Sequence, residues 1–127
     1  MIGHLYNVAR SIVREHGKAR SDKWRTVRDA HLKIQPACAA CGSLTRVQVH
    51  HISPYHLHPE LELDPNNLIT LCMGPEECHL RLGHGGSFLA FVPKIVLYAS
   101  VLIKFPEQRD MYVRVAEKER IISDPLI

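Results

Sequence analysis

Two pairs of cysteines constrain this chain more than any other feature. Cys38 and Cys41 are separated by two residues, Cys72 and Cys78 by five, and six of the nine histidines fall in the same stretch between residues 38 and 84. Arg10, Arg14 and Glu15 interrupt every early hydrophobic run, so no secretory signal is read at the N-terminus. The expected compartment is the reducing cytoplasm, where thiols hold metal rather than form disulfides. Two cysteine pairs brought together make a tetrahedral cage, and soft thiolates select zinc over magnesium or calcium. Such a cage is coordinatively closed. Its zinc is expected to be structural, contributing folding free energy to a chain whose 127 residues bury only a small core. The second pair is wider than the usual spacing, with residues 73–77 as a loop insertion; four buried free thiols are the plainer alternative.

The charge is uneven. Residues 1–35 hold eight Lys or Arg against three acids, residues 36–86 two against five, and residues 87–127 six against five. The N-terminal excess suits a polyanion, with Arg20, Lys23, Arg25 and Arg28 as candidate phosphate contacts, although two helices with solvated basic faces look the same. The longest uncharged apolar run, residues 95–103, is far short of the roughly 20 residues that span a bilayer, so no membrane association is expected.

Periodicity sets three regions in one expected domain: basic helices over residues 1–35, a metal-stapled core over 36–86 and a helical extension over 87–127. An apolar stripe at Leu5, Val8, Ala9, Ile12 and Val13 predicts a first helix over residues 2–16. Ser21 is the expected cap of a second helix that ends near Ile34, before Pro36, with Trp24, Val27 and His31 on one face. His31 is expected to pack there with its ring hydrogen-bonded. The alternating segment 47–50 predicts a strand paired with 68–71, joined by an ordered loop containing three prolines. His56 and His58 in that loop are expected to be exposed rather than catalytic. A brief helix over 78–82 follows, then helices over 93–104 and 107–121. The first of these is apolar nearly all round and must be covered by the rest of this chain or by a second copy; its Ile and Val content also permits a strand.

Adjacent strand residues point to opposite faces, so His50 and His51 are not expected to share a metal. One is free to ligate while the other faces a reacting water. With Asn67 at the second strand and His79 just after a cage cysteine, a metal ligand, a base and a polar amide converge on one surface.

The run Val49-His50-His51-Ile52-Ser53-Pro54, the run Asp64-Pro65-Asn66-Asn67-Leu68-Ile69-Thr70-Leu71-Cys72, and the pair Cys78-His79 together resemble the HNH endonuclease signature in its zinc-stapled form. The lead-in Trp24-x2-Val27-Arg28-x2-His31-Leu32 also resembles that of small phage and bacterial HNH proteins. The resemblance spans residues 20–86 and implies an α+β fold. Its centre would be a ββα-metal (His-Me finger) core, stabilised by the Cys38, Cys41, Cys72 and Cys78 zinc site and flanked by N- and C-terminal helices. It also implies a metal-dependent endonuclease acting on DNA, with His51 as general base and Asn67 either orienting the base or binding metal. One catalytic divalent cation (Mg2+, Mn2+, Ni2+ or Zn2+) would be held by His50 and His79. His84 is a further candidate ligand: colicin-type relatives place three residues between their last two histidines, and here there are four. Five positions along an α-helix leave the shared face, so the glycines would have to curl the chain back.

A neutral imidazole suits the base, its ordinary pKa lying near 6.5. The competing readings are a catalytically silent zinc-stabilised DNA-binding module and an interaction module of a phage-packaging or other DNA-processing complex. In the second, the apolar C-terminal helix would dock on partners or form a homodimer.

Overall fold

The computed structural model of the protein describes residues 20–123; the helix expected over residues 2–16 lies outside them. Helix α1, Trp24–Ile34, turns Trp24, Val27, Arg28 and His31 inward, and none of its residues is fully buried. Ser21 does not cap it. Lys23 holds that position, and the Ser21 hydroxyl instead accepts the Lys23 N–H at 3.1 Å, forming a turn ahead of the helix. The His31 ring is half-buried and hydrogen-bonded to Gln35 Oε1 at 3.1 Å. Gln35 ends the helix and fastens it onward: its amide oxygen accepts the Thr70 N–H at 2.7 Å, and its carbonyl accepts the Thr70 hydroxyl at 2.6 Å.

The Cys38–Cys41 turn closes through Gly42 N–H to the Cys38 carbonyl and Cys38 N–H to the Ser43 carbonyl, both at 2.8 Å. Gly42 has φ +80°, which an L side chain rarely adopts. Strands β1 (Val47–His51) and β2 (Leu68–Cys72) pair antiparallel with His50 opposite Ile69 and His51 opposite Leu68. All five β2 residues are buried. Its free edge is covered by Gln35 and by Ala39, whose N–H reaches the Thr70 carbonyl at 2.9 Å. The connecting loop is ordered by two 3-10 turns, Pro59–Leu61 and Pro65–Asn67.

A five-residue π helix, His79–Gly83, follows β2. Beyond it, β3 (Ala90–Phe91) leads to α2 (Ile95–Leu102), a 3-10 turn at Pro106–Gln108, and α3 (Arg109–Glu119). The helix expected to run to residue 121 stops at Glu119, because Ile121–Ile122 form β4 against β3. Arg120 is extended there and donates to the Gly85 carbonyl at 2.9 Å.

Helix α2 is apolar nearly all round, but the described residues cover only one stripe: Ile95, Tyr98, Ala99 and Leu102 are buried while Val96 and Leu97 are exposed. The buried spacing i, i+3, i+4, i+7 is that of one helical face. Ile95, Ala99 and Leu102 join Leu71, Leu82 and the buried sulfurs of Cys38, Cys72 and Cys78 in one core. The fold is α+β, and no described helix is long and apolar enough to cross a membrane.

Candidate metal centre and active site

The four cysteine sulfurs lie within 4.8 Å of one another, with Cys41 Sγ 3.6 Å from Cys72 Sγ. The Cys38 turn supplies two of them, and the end of β2 and the start of the π helix supply the others. The Cys38 thiol is held down at about 4 by its hydrogen bond with Cys78 and by backbone N–H groups of Ala40, Cys41 and Cys72. The same bond, with burial, pushes Cys78 up, and burial pushes Cys41 up to about 11. Protons and partial thiolate charge are thus crowded into a space suited to a tetrahedral cation. Arg109 adds a cation from outside, its Nη1 3.2 Å from Cys78 Sγ.

A second group forms where β1 meets the π helix. The ligand nitrogens of His50, His79 and His84 also lie within 4.8 Å of one another. The His50 ring stands edge-on to both others, its centroid 4.9 Å from that of His79 and 4.7 Å from that of His84. His84 Nδ1 meets the Ala90 carbonyl at 2.7 Å, and a carbonyl only accepts, so the proton is on Nδ1 and Nε2 carries a lone pair. His79 Nδ1 donates to Gln48 Oε1 at 2.8 Å, which leaves its Nε2 unprotonated as well. These two nitrogens face each other at 3.1 Å. Two lone pairs so close repel unless a proton or another cation lies between them. Burial opposes the proton, driving His79 down to about 3 and lowering His84. His50 is lowered by burial too, and its Nε2 is buried without a hydrogen-bond partner among the described residues. Three neutral imidazoles with converging lone pairs, one of them otherwise orphaned, fit a divalent metal and leave its remaining positions open.

The place of His84 differs from the α-helical expectation. The His84 N–H bonds to the His79 carbonyl at 3.1 Å, the i→i+5 link of a π turn. Four intervening residues would put the rings on different faces of an α-helix; the wider turn returns them to one.

His51 points away from His50. Its Nε2 donates to the Glu62 carbonyl at 2.9 Å, so the lone pair is on Nδ1. Burial lowers its pKa below the ordinary histidine value, against the pull of that carbonyl. The ring lies on Trp24, centroids 4.4 Å apart and tilted by 32°. Asn67 is buried and has spent its amide on backbone. Its Oδ1 accepts from Ser53 N–H at 2.8 Å, and its Nδ2 donates to the Ser53 and Leu61 carbonyls at 3.1 and 3.2 Å. It therefore ties down both ends of the loop between His51 and Glu62, at Ser53 and at Leu61.

Among the candidate phosphate contacts, Lys23 and Arg25 are exposed, and Arg28 lies 3.3 Å from Asp29. Arg20 is otherwise engaged: its Nε is 2.5 Å from Glu62 Oε2, a partner that charge counting does not reveal. His58 is exposed beside Glu60. His56, expected to be exposed, is half-buried and bonds to the Ser123 carbonyl, because the C-terminal segment closes over the loop. Gln48, Glu62, Trp24 and Arg109 were not among the sequence candidates. Period-two alternation from His50 leads to Gln48 on the same strand face; Trp24 is legible only as a helix-face and lead-in residue, and Glu62 and Arg109 carry no sequence signal.

Among known families, residues 38–85 match the model described as HNH endonuclease. This segment is similar to HNH domains. It runs from the first cage cysteine to one residue past His84, and so contains both candidate metal groups and His51. Helix α1 and everything from Gly86 onward lie outside it. An HNH domain brings a nuclease-like, DNA-related function. No curated protein and no solved structure gives a significant match.

Proposed function

We propose that this protein is a metal-dependent endonuclease that hydrolyses DNA phosphodiester bonds, with His51 as general base and one divalent cation held by His50, His79 and His84. The observation that carries it is the facing pair of unprotonated His79 and His84 nitrogens beside the orphaned His50 Nε2, one residue from an imidazole of opposite orientation. His51 Nδ1 takes a proton from water, whose oxygen attacks phosphorus as the bond to the 3′ oxygen breaks. The Glu62 carbonyl keeps Nε2 protonated and accepts a stronger bond as the ring becomes positive. Asn67 is a positioning residue that fixes Leu61 beside that carbonyl. A bound Mg2+, Mn2+, Ni2+ or Zn2+ would supply positive charge at the pentavalent phosphorus and the departing oxygen. Cys38, Cys41, Cys72 and Cys78 would hold a structural zinc. Lys23 at the cap of α1 and Arg25 and Arg28 on the helix are the phosphate contacts we favour, with Arg20 committed to Glu62.

The test is plasmid nicking with each divalent cation in turn. Wild-type protein is expected to nick, and His51→Ala to abolish nicking while retaining zinc and fold. Undiminished cleavage by His51→Ala rejects the base. Salt-sensitive DNA binding without cleavage under any of the metals rejects the nuclease in favour of a binding module.

A further inference from the structure

Glu62 presents two features to its surroundings. Its carbonyl receives His51 Nε2–H, while its carboxylate, only 6% exposed, receives Arg20 Nε at 2.5 Å on Oε2 and Ser21 N–H at 3.1 Å on Oε1. A buried carboxylate needs such partners. Both come from the segment that starts α1, outside the HNH match. The Arg20 guanidinium in turn lies 4.6 Å from the Tyr55 ring centroid and 5.4 Å from that of Trp24. Trp24, the only tryptophan in the chain, covers one face of His51. The backbone at residues 61 and 62 is therefore held by Asn67 from the core side and by α1 from the other.

We propose that the start of α1 is a positioning device for His51. Trp24 is the wall against which the ring rests, and the Arg20–Glu62 pair is the latch that fixes the carbonyl selecting its Nε2–H tautomer. This rests on His51 being the base. An imidazole free to rotate or to exchange tautomers presents the wrong nitrogen to water for part of the time. Loosening the wall or latch should therefore lower kcat and leave substrate affinity unchanged.

Long-range 1H–15N correlation spectra of the full-length, zinc-loaded protein, with the His51 signals assigned by His51→Ala, test the device without any turnover. Wild-type His51 should show one tautomer, protonated on Nε2. Trp24→Ala and Glu62→Gln should show mixed tautomers, with nicking kcat down at least about tenfold and with KM for plasmid and zinc content unchanged; Trp24→Phe should restore most of both signals. An unaltered His51 spectrum in Trp24→Ala and Glu62→Gln overturns the proposal. So does a loss equally large in Trp24→Phe and accompanied by zinc release, which would mark ordinary packing. If wild-type protein never nicks but the two variants scramble the tautomer, the nuclease reading fails and the device stands. If it nicks and the tautomer does not change, the reverse holds.

Discussion

Replacing Arg109 by Gln tests whether the C-terminal extension supports the sulfur cage. The guanidinium on α3 reaches back with three groups: Nη1 to Cys78 Sγ at 3.2 Å, Nη2 to the Glu76 carbonyl, and Nε to Glu76 Oε2 at 3.2 Å. The side chain is 17% exposed. A hydrogen bond to a charged acceptor contributes about 1.5–3 kcal/mol. The ion pair to half-exposed Glu76 adds at most about 1 kcal/mol after solvent screening. Four thiolates around one divalent ion leave an excess of negative charge that only an outside cation offsets, so the sulfur contact should dominate. Arg109→Gln should therefore cost about 2–4 kcal/mol, or roughly 8–15 °C in Tm for a chain of this size. Loss of such an outer partner should also weaken zinc binding by about 10- to 100-fold. Arg109→Lys, which keeps the charge but not the fork, should fall between. Zinc transfer to a chromophoric chelator and thermal unfolding read both effects. If Arg109→Gln released zinc at the wild-type rate and melted within about 1 °C of wild type, the claim that the extension stabilises the cage would be wrong.

Three further outcomes are expected. A Cβ at Gly85, where φ is +60°, would stand 2.8 Å from both the Ala116 carbonyl oxygen and Arg120 Cβ; Gly85→Ala should cost about 3 kcal/mol in denaturant unfolding, and a midpoint equal to wild type refutes that. Gln48→Leu removes the acceptor that fixes the His79 tautomer; calorimetry should show Ni2+ binding weakened about 10- to 100-fold with zinc content intact, whereas unchanged Ni2+ affinity denies Gln48 that role. Cys72→Ser should drop the zinc stoichiometry and unfold the core around Leu71 and Leu82, a loss that circular dichroism would report and that a native-like, zinc-free spectrum would contradict.

The cysteine pairs, the two histidines ending β1 and the His79 position were legible because soft thiolates and adjacent strand imidazoles restrict what their residues do, whatever surrounds them. His84 is legible as a candidate ligand but its route back to the shared face is not, because helical periodicity assumes about 100° per residue and the π turn over His79–Gly83 follows another repeat. Arg20 was counted as free charge because the carboxylate it meets is 42 positions away. Composition separates residues 87–127 from the core, yet the structure joins them to both candidate metal groups. The Ala90 carbonyl orients His84, Arg109 touches Cys78, and Arg120 holds Gly85. Helix α1 does the same for His51 through Trp24. The HNH-matched segment holds the candidate ligands and the candidate base together with Gln48 and Glu62, which meet His79 and His51, while Ala90, Arg109 and Trp24 reach His84, Cys78 and His51 from its flanks. Substitutions well outside residues 38–85 should therefore alter metal retention and turnover separately, according to which flank they loosen.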